Sequence, residues 1–247
     1  MSLTRITDQK GTFLKSLTIA VALFSATVAN TAYSASEPET KESTAQLLSI
    51  RFDAREVVKI EAGDFHFVPG QIAPIHTHDA PAIGYVSKGE ILYQVEGRKP
   101  QLLREGDAFY EPAGPRILRF DNASATEEAI FIDFNLQQKN EPFIVFEKEL
   151  TEHIDRRALP TIKLQGKTLS QADIFVTEIE PKGHKRLEAE VPVLNYVAEG
   201  AVKVVSSNTT KHYQVGESFS LVKRTDTATA VNDSTVLPAK VISFYLR

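Results

Sequence analysis

Two histidines separated by one residue are the feature of this chain best suited to chemistry. His76 and His78 flank Thr77, and on a β-strand residues i and i+2 point to the same side. The two imidazoles would then face one point and could share one metal ion, because neutral imidazole is a common ligand of divalent first-row metals. The alternative is a solvated pair of histidines in a loop at the mouth of a barrel, with no metal.

The absence of sulfur restricts what such a metal site could contain. The 247-residue chain has no Cys, and its one Met is the first residue. Disulfides, thiolate nucleophiles, Cys-ligated zinc, iron-sulfur clusters and thiolate-ligated haem are therefore excluded. Any metal must be held by nitrogen and oxygen donors. The net charge is -4 and the basic residues are scattered, so the sequence has no basic stripe of the kind that binds nucleic acid. No nucleic-acid partner is therefore expected.

The N-terminal residues predict export. Basic residues precede a weakly polar run at residues 16–29. The small residues Ala32 and Ser34 then occupy the two positions that a signal peptidase recognises before its cleavage site. We interpret residues 1–34 as a Sec-type signal peptide, which predicts a periplasmic or secreted protein. The run is shorter than the about 20 apolar residues that span a membrane, so no stable anchor is expected after cleavage.

The remaining chain has the pattern of an all-β protein. Residues 35–50 are polar and acidic and are predicted to form a flexible leader. After them, segments rich in Val, Ile, Phe and Tyr alternate with turn residues about every 8–12 positions, which is typical of a sandwich or barrel. One charged interruption, residues 147–157, is interpreted as a helical or turn-like connector between domains.

The chain also repeats itself. The segment at residues 81–89 recurs at residues 192–200 with the same Pro, Tyr-Val and Gly, and residues 105–109 recur at 215–219. Two matches at nearly constant spacing predict two barrel domains, residues 51–148 and residues 149–247. In the second domain Leu187 and Ala189 stand where the first has His76 and His78, so only the first is predicted to hold a metal.

The glycine and proline framework around the histidines resembles the cupin superfamily. Its two patterns are Gly-x5-His-x-His-x3,4-Glu-x6-Gly and Gly-x5-Pro-x-Gly-x2-His-x3-Asn. The matching framework residues are Gly70, His76, His78, Gly89, Gly106, Pro112 and Gly114. The resemblance implies two tandem double-stranded β-helix (jelly-roll) barrels, the second of them degenerate.

Cupins usually hold a divalent metal through the His pair, the Glu and the second-pattern His. Here Ala82 stands at the position of the Glu and Ile117 at that of the last His, and neither side chain can bind a metal. The resemblance implies an Fe, Mn, Ni or Zn ion on His76 and His78. The candidates for a further ligand or pocket residue are Asp79, Tyr93, Gln94 and Glu111.

Two functions remain open at this point. The first is an exported, metal-dependent bicupin that acts on a small organic molecule by dioxygenase-, isomerase- or decarboxylase-like chemistry. The second is a non-catalytic cupin that has lost metal ligands and binds a sugar or an organic acid, with the histidines as hydrogen-bond donors. Either protein would be a monomer or a homodimer, because two barrels in one chain can pair with each other.

Overall fold

The segments rich in β-branched and aromatic residues form antiparallel strands throughout the computed structural model, which describes residues 42–150, 153–207 and 209–247. The first half contains β1 (Glu42–Phe67), β2 (His76–Thr77), β3 (Ala82–Lys88), β4 (Glu90–Val95), β5 (Gln101–Arg104), β6 (Ala108–Glu111), β7 (Ile117–Asn122), β8 (Ala129–Gln137) and β9 (Val145–Phe146). The second contains β10 (Asp155–Ala158), β11 (Ile162–Ile179), β12 (His184–Glu188), β13 (Val193–Glu199), β14 (Ala201–Ser206), β15 (Thr210–Gln214), β16 (Ser218–Leu221), β17 (Thr227–Val231) and β18 (Ala239–Leu246).

These strands form three sheets that enclose two barrels. A nine-stranded sheet runs in the order β16-β13-β18-β11-β1-β8-β3-β6, with β10 paired to β1. The sheet β5-β4-β7-β2-β9 belongs to the first half of the chain, and the sheet β12-β17-β14-β15 to the second. The predicted fold class, all-β with two tandem jelly-roll barrels of the cupin type, is confirmed.

The repeat seen in the sequence extends to a buried asparagine in each half. Asn122 ends β7, its Nδ2 lies 2.8–3.1 Å from three backbone carbonyl oxygens, and its Oδ1 accepts a backbone N–H. Asn232 follows β17 and makes the same set of contacts at 2.8–3.3 Å. The carbonyl partners are Phe67, Val68 and Glu127 in the first half and Ile179, Glu180 and Leu237 in the second. One amide thus holds the end of the long strand to the turn before β8 in the first half and to the turn before β18 in the second.

The predicted leader is wrong from residue 42 onward. Residues 42–51 form the start of β1 and pair with residues 171–179 of β11. The sequence is polar because many of these side chains are exposed, but three apolar ones, Leu47, Leu48 and Ile50, pack against the core between the barrels. Backbone pairing with β11 satisfies the amides, so this polar segment is a strand rather than a linker.

The connector is also different from the prediction. Where residues 147–157 are described they contain no helix, and β10 pairs with residues 63–66 of β1. An edge strand tolerates the charged residues at this position because one of its faces is open to solvent. Along the described ranges the residues form one compact unit, so the boundary at residues 148 and 149 stays a prediction.

Three apolar clusters hold the fold together. One lies between the barrels, where the outer face of β8 and β3 packs on that of β18 and β13, with the Phe134 and Phe244 rings 4.8 Å apart. A second fills part of the first barrel and is rich in phenylalanine. The third fills the second barrel, where Leu187, Ala189 and Leu221 are buried among valines and alanines. The inner space of the two barrels is therefore used differently.

No helix in the described part of the chain has the length and apolar character needed to cross a membrane. The predicted signal peptide, residues 1–34, lies outside the described residues.

The repeated asparagine makes a stability prediction. Asn122→Asp keeps the shape of the side chain but replaces the donor with an acceptor that faces three carbonyls, so we expect the free energy of unfolding to fall by about 1–3 kcal/mol. Asn232→Asp should have an effect of similar size, because its contacts are the same. Urea unfolding of each variant measures this. A loss under about 0.5 kcal/mol in both would contradict a structural role for the amide.

Candidate metal centre

Three buried side chains from different strands converge inside the first barrel. His76 lies on β2, His78 follows it, and Glu111 is the last residue of β6. The Nε2 atom of His76 lies 3.6 Å from Oε1 of Glu111, and Nε2 of His78 lies 3.3 Å from Oε2. One nitrogen or oxygen atom from each residue lies within 4.8 Å of the others. The arrangement is two imidazoles and one carboxylate around a common point.

Backbone carbonyl groups orient both imidazoles. Nδ1 of His76 lies 2.8 Å from the carbonyl oxygen of Pro74, and Nδ1 of His78 lies 3.1 Å from that of Phe143. Because a carbonyl only accepts, each Nδ1 carries a proton and donates it, so Nε2 is the atom that a metal ion would bind, with loss of any proton that this nitrogen carries. This is the tautomer that a histidine ligand of a metal requires.

The burial of these groups shows that the donor set fits a cation. His76, His78 and Glu111 are only 3%, 1% and 3% exposed. Nε2 of His78 and Oε1 of Glu111 have no hydrogen-bond partner among the described residues. Buried polar atoms without partners are costly, and a divalent ion bound to both would remove that cost.

The electrostatics of the three groups are strongly linked. Burial opposes the negative charge of Glu111, but the two histidines outweigh it and lower the pKa of this carboxyl group. Burial likewise opposes a charge on His78, and the Glu111 carboxylate overcomes this effect and raises the pKa of His78 to about 9. Glu111 is therefore an ionised carboxylate at neutral pH, which is the form that binds a metal.

The strand register explains how a carboxylate reaches the two histidines although Ala82 cannot supply one. Ala82 on β3 is the direct Cα partner of Glu111 on β6, and directly opposed residues in an antiparallel pair share one face of the sheet. The carboxylate therefore comes from the neighbouring strand instead of from β3. Ile117 is the Cα partner of His76 and is fully buried in the apolar cluster of this barrel, so that position supplies packing and no ligand.

The other predicted candidates do not join the three ligands. Asp79 is exposed, and its backbone carbonyl accepts a hydrogen bond from Arg55. Gln94 donates to the carbonyl oxygen of Arg98 in the hairpin turn. Tyr93 donates its hydroxyl proton to a backbone carbonyl on β6 at 2.6 Å. These side chains serve the turns and the packing of the barrel.

Two polar residues of β8 surround the ligands and were missed in the sequence. Asn135 is fully buried, and its Nδ2 lies 3.3 Å from Nδ1 of His78 and 3.2 Å from the carbonyl oxygen of Ala80. Asp133 is buried, and its Oδ1 has no partner among the described residues. Burial and the charge of Glu111 both raise the pKa of Asp133. Polar residues on the inward-facing positions of an otherwise apolar strand were the available signal.

A cavity of about 220 Å³ adjoins the three ligands. Its polar lining consists of His76, His78, Glu111, Asp133 and Arg156. The remaining lining residues are apolar: Phe65, Phe67, Ala73, Phe120, Phe131, Phe143, Ile144, Phe146, Leu150 and Ile154. Such a mainly apolar space with a few polar groups is typical of small-molecule sites.

The described residues of the second barrel contain no equivalent site. Across residues 42–150, 153–207 and 209–247, His76, His78 and Glu111 form the one group of three side chains able to hold a metal. In the second barrel the corresponding positions, Leu187, Ala189 and Leu221, belong to its apolar core.

Comparison with known proteins agrees with this geometry. Residues 63–135 match the family model described as a cupin domain, and these residues include all three ligands. No curated protein sequence matches the chain.

Solved structures share the fold over most of the chain. A salicylate 1,2-dioxygenase from Pseudaminobacter salicylatoxidans has a TM-score of 0.54 at 15% identity, over 76% of this chain and 71% of its own. AerE from Microcystis aeruginosa has a TM-score of 0.54 at 13% identity, over 82% and 98%. A mutant of the oxalate decarboxylase OxdC from Bacillus subtilis has a TM-score of 0.55 at 16% identity, over 84% and 79%. At such low sequence identity, these similarities show a shared fold and nothing about function. The family match over residues 63–135 and the shared fold both support a cupin domain in this part of the chain.

Proposed function

We propose that this protein is an exported, two-barrel cupin that binds one divalent first-row metal ion through His76, His78 and Glu111 and acts on a small organic molecule in the adjoining cavity. The observation that carries the proposal is the convergence of two Nε2 atoms and one ionised carboxylate in a buried position. Export rests on the pattern of residues 1–34. The protein is proposed to work as a monomer or a homodimer.

The ligand types limit the metal and its chemistry. Two histidines and one carboxylate with open positions are typical of non-haem Fe(II) oxygenases, and Mn, Ni and Zn also accept this donor set. The bound ion would supply Lewis-acid or redox chemistry beside the cavity. The salicylate dioxygenase and the oxalate decarboxylase of similar fold support an organic acid as the substrate and dioxygen-dependent cleavage or decarboxylation as the reaction.

The residues of this chain would position the substrate and keep water away from it. The apolar lining excludes bulk water, which strengthens each electrostatic contact inside. The carbonyls of Pro74 and Phe143 fix the ring planes of the two histidines. Asn135 holds the backbone next to His78 through the carbonyl of Ala80. Asp133 adds a second carboxyl group in the cavity, available to hold a proton near the substrate.

Metal binding is the first test. Purified full-length or processed protein should bind one Zn²⁺ or Mn²⁺ per chain, and His78→Ala or Glu111→Gln should weaken the Kd by more than about 100-fold, because loss of a partner that merely orients a ligand already costs 10–100-fold. Isothermal titration calorimetry with metal analysis measures this.

The chain offers a matched control for these variants. His66 and Glu128 form another histidine and carboxylate pair 3.3 Å apart, on the surface. His66→Ala and Glu128→Gln should leave the metal Kd unchanged. Equal losses in the surface pair and in the buried pair, or one ion bound equally well by all variants, would exclude the proposed site.

The register of β3 and β6 gives a second prediction. Glu111→Ala should abolish tight metal binding. Adding Ala82→Glu to this variant should bring the association constant for the metal back to at least about a tenth of the wild-type value, because both positions share one face of the sheet. The single Ala82→Glu variant is the control for folding. Failure of the double variant to regain metal, with its unfolding transition intact, would show that the carboxylate acts only from β6.

Turnover separates the catalytic function from the non-catalytic one. Protein loaded with Fe²⁺ or Mn²⁺ under anaerobic conditions is mixed with oxalate, salicylate or gentisate, and dioxygen is then admitted. We expect at least one acid to be converted, with Glu111→Gln inactive, as measured by mass spectrometry and dioxygen uptake. Binding of an acid without any conversion would favour the non-catalytic cupin instead.

A further inference from the structure

Arg156 lies on the wall of the metal cavity and keeps most of its hydrogen-bonding capacity free. It belongs to β10 and lines the same cavity as the three ligands. Its Nη2 donates to Oε1 of Glu61 at 2.9 Å. Within the described ranges this is the one hydrogen bond that the guanidinium makes, although the group has five N–H donors. Its Nε is buried without a partner.

The plane of this guanidinium is fixed by aromatic rings. Its Cζ lies 3.7 Å from the ring centroid of Phe143 and 5.7 Å from that of Phe65. Gly63 leaves the space for it, because a Cβ at that position would stand 2.6 Å from Nε of Arg156. A planar cation that is already held in place loses little side-chain entropy when it binds a second partner.

The charge of Arg156 is only partly balanced. Glu61 is shared, because Nζ of Lys59 lies 3.2 Å from its other oxygen. One carboxylate thus faces two cations at the rim of the barrel. A carboxylate in the cavity would meet a guanidinium with free donors, and Arg binds carboxylates through two parallel hydrogen bonds.

The size and lining of the cavity limit the rest of the ligand. A space of about 150 Å³ lined by apolar side chains accommodates benzene, and this cavity is about 220 Å³. One ring with a small substituent therefore fits it. Six of the lining residues are phenylalanines, and such walls favour a flat apolar body.

We propose that the cavity takes a small organic monoanion whose apolar body is about the size of one ring, and that Arg156 selects this ligand by binding its carboxylate. The proposal rests on the proposed function in placing the ligand beside the metal. It assigns specificity to four residues of the wall: Phe143, Ile144, Phe146 and Arg156. Of these four, Arg156 lies in residues 147–157, which were predicted only as a connector.

Three probes separate the contribution of the apolar ring to binding from that of the carboxylate. Benzoate carries the ring and the anion, benzyl alcohol carries the ring without the charge, and acetate carries the anion without the ring. Calorimetric titration of the full protein should give a Kd for benzoate at least about tenfold lower than for either of the others. The titrations are made with Zn²⁺-loaded and with chelator-treated protein, so that binding to Arg156 is distinguished from binding to the metal.

Arg156→Met is the critical variant, and Arg157→Met is its matched control. The Arg157→Met substitution removes the same charge, but the guanidinium of Arg157 contacts Asp64 and the carbonyl of Gly216 outside the cavity. We expect Arg156→Met to remove the preference for benzoate over benzyl alcohol while the Kd for benzyl alcohol changes less than about threefold. Arg157→Met should keep the preference. Arg156→Lys should lose most of it, because lysine lacks the planar fork.

Two results would overturn the assignment of Arg156. One is an unchanged benzoate preference in Arg156→Met. The other is a preference that disappears from the wild-type protein when Zn²⁺ is removed, which would place the carboxylate on the metal. The proposed metal site is judged separately, from the Zn²⁺ stoichiometry of the same samples. Absence of the benzoate preference from the wild-type protein with full Zn²⁺ loading would therefore reject this inference alone.

Discussion

The interaction on which the first barrel depends is the buried carboxylate of Glu111 between two imidazoles. Its distances to His76 and His78, 3.6 and 3.3 Å, bring a carboxylate and two imidazole Nε2 atoms together in a buried position. Such a cluster is costly in an apolar core unless its charges are compensated. The backbone carbonyls that hold the imidazoles aim both Nε2 atoms at the carboxylate. A divalent cation is the partner that this arrangement fits.

The fold uses two similar barrels for different purposes. Both keep the asparagine that ties the long strand to the following turn, so the scaffold is the same. The first barrel places polar ligands and a cavity in its interior, whereas the second fills the same positions with Leu and Ala. A fully packed barrel supports its neighbour through the apolar cluster between them. The first barrel can then keep a cavity, which costs packing energy.

The sequence predicts the fold class and the histidine pair because both depend on local patterns. The strand periodicity, the repeat and the framework from Gly70 to Gly114 are all readable along the chain. The third ligand depends on the pairing of β3 with β6, and a register between strands distant in sequence is not encoded in spacing. The role of Arg156 depends likewise on β10 folding back on β1. Polar residues 42–50 were misread because exposed strands and leaders have similar composition.

The most direct test of the account is the coordination of the bound metal. X-ray absorption spectroscopy of the Zn²⁺-loaded protein resolves imidazole ligands from carboxylate and water ligands. The account predicts two imidazoles at about 2.0–2.1 Å together with oxygen donors at about 2.0–2.2 Å, and the loss of one imidazole in His78→Ala. A Zn²⁺ ion with no imidazole ligand, or one whose spectrum is unchanged in that variant, would contradict it.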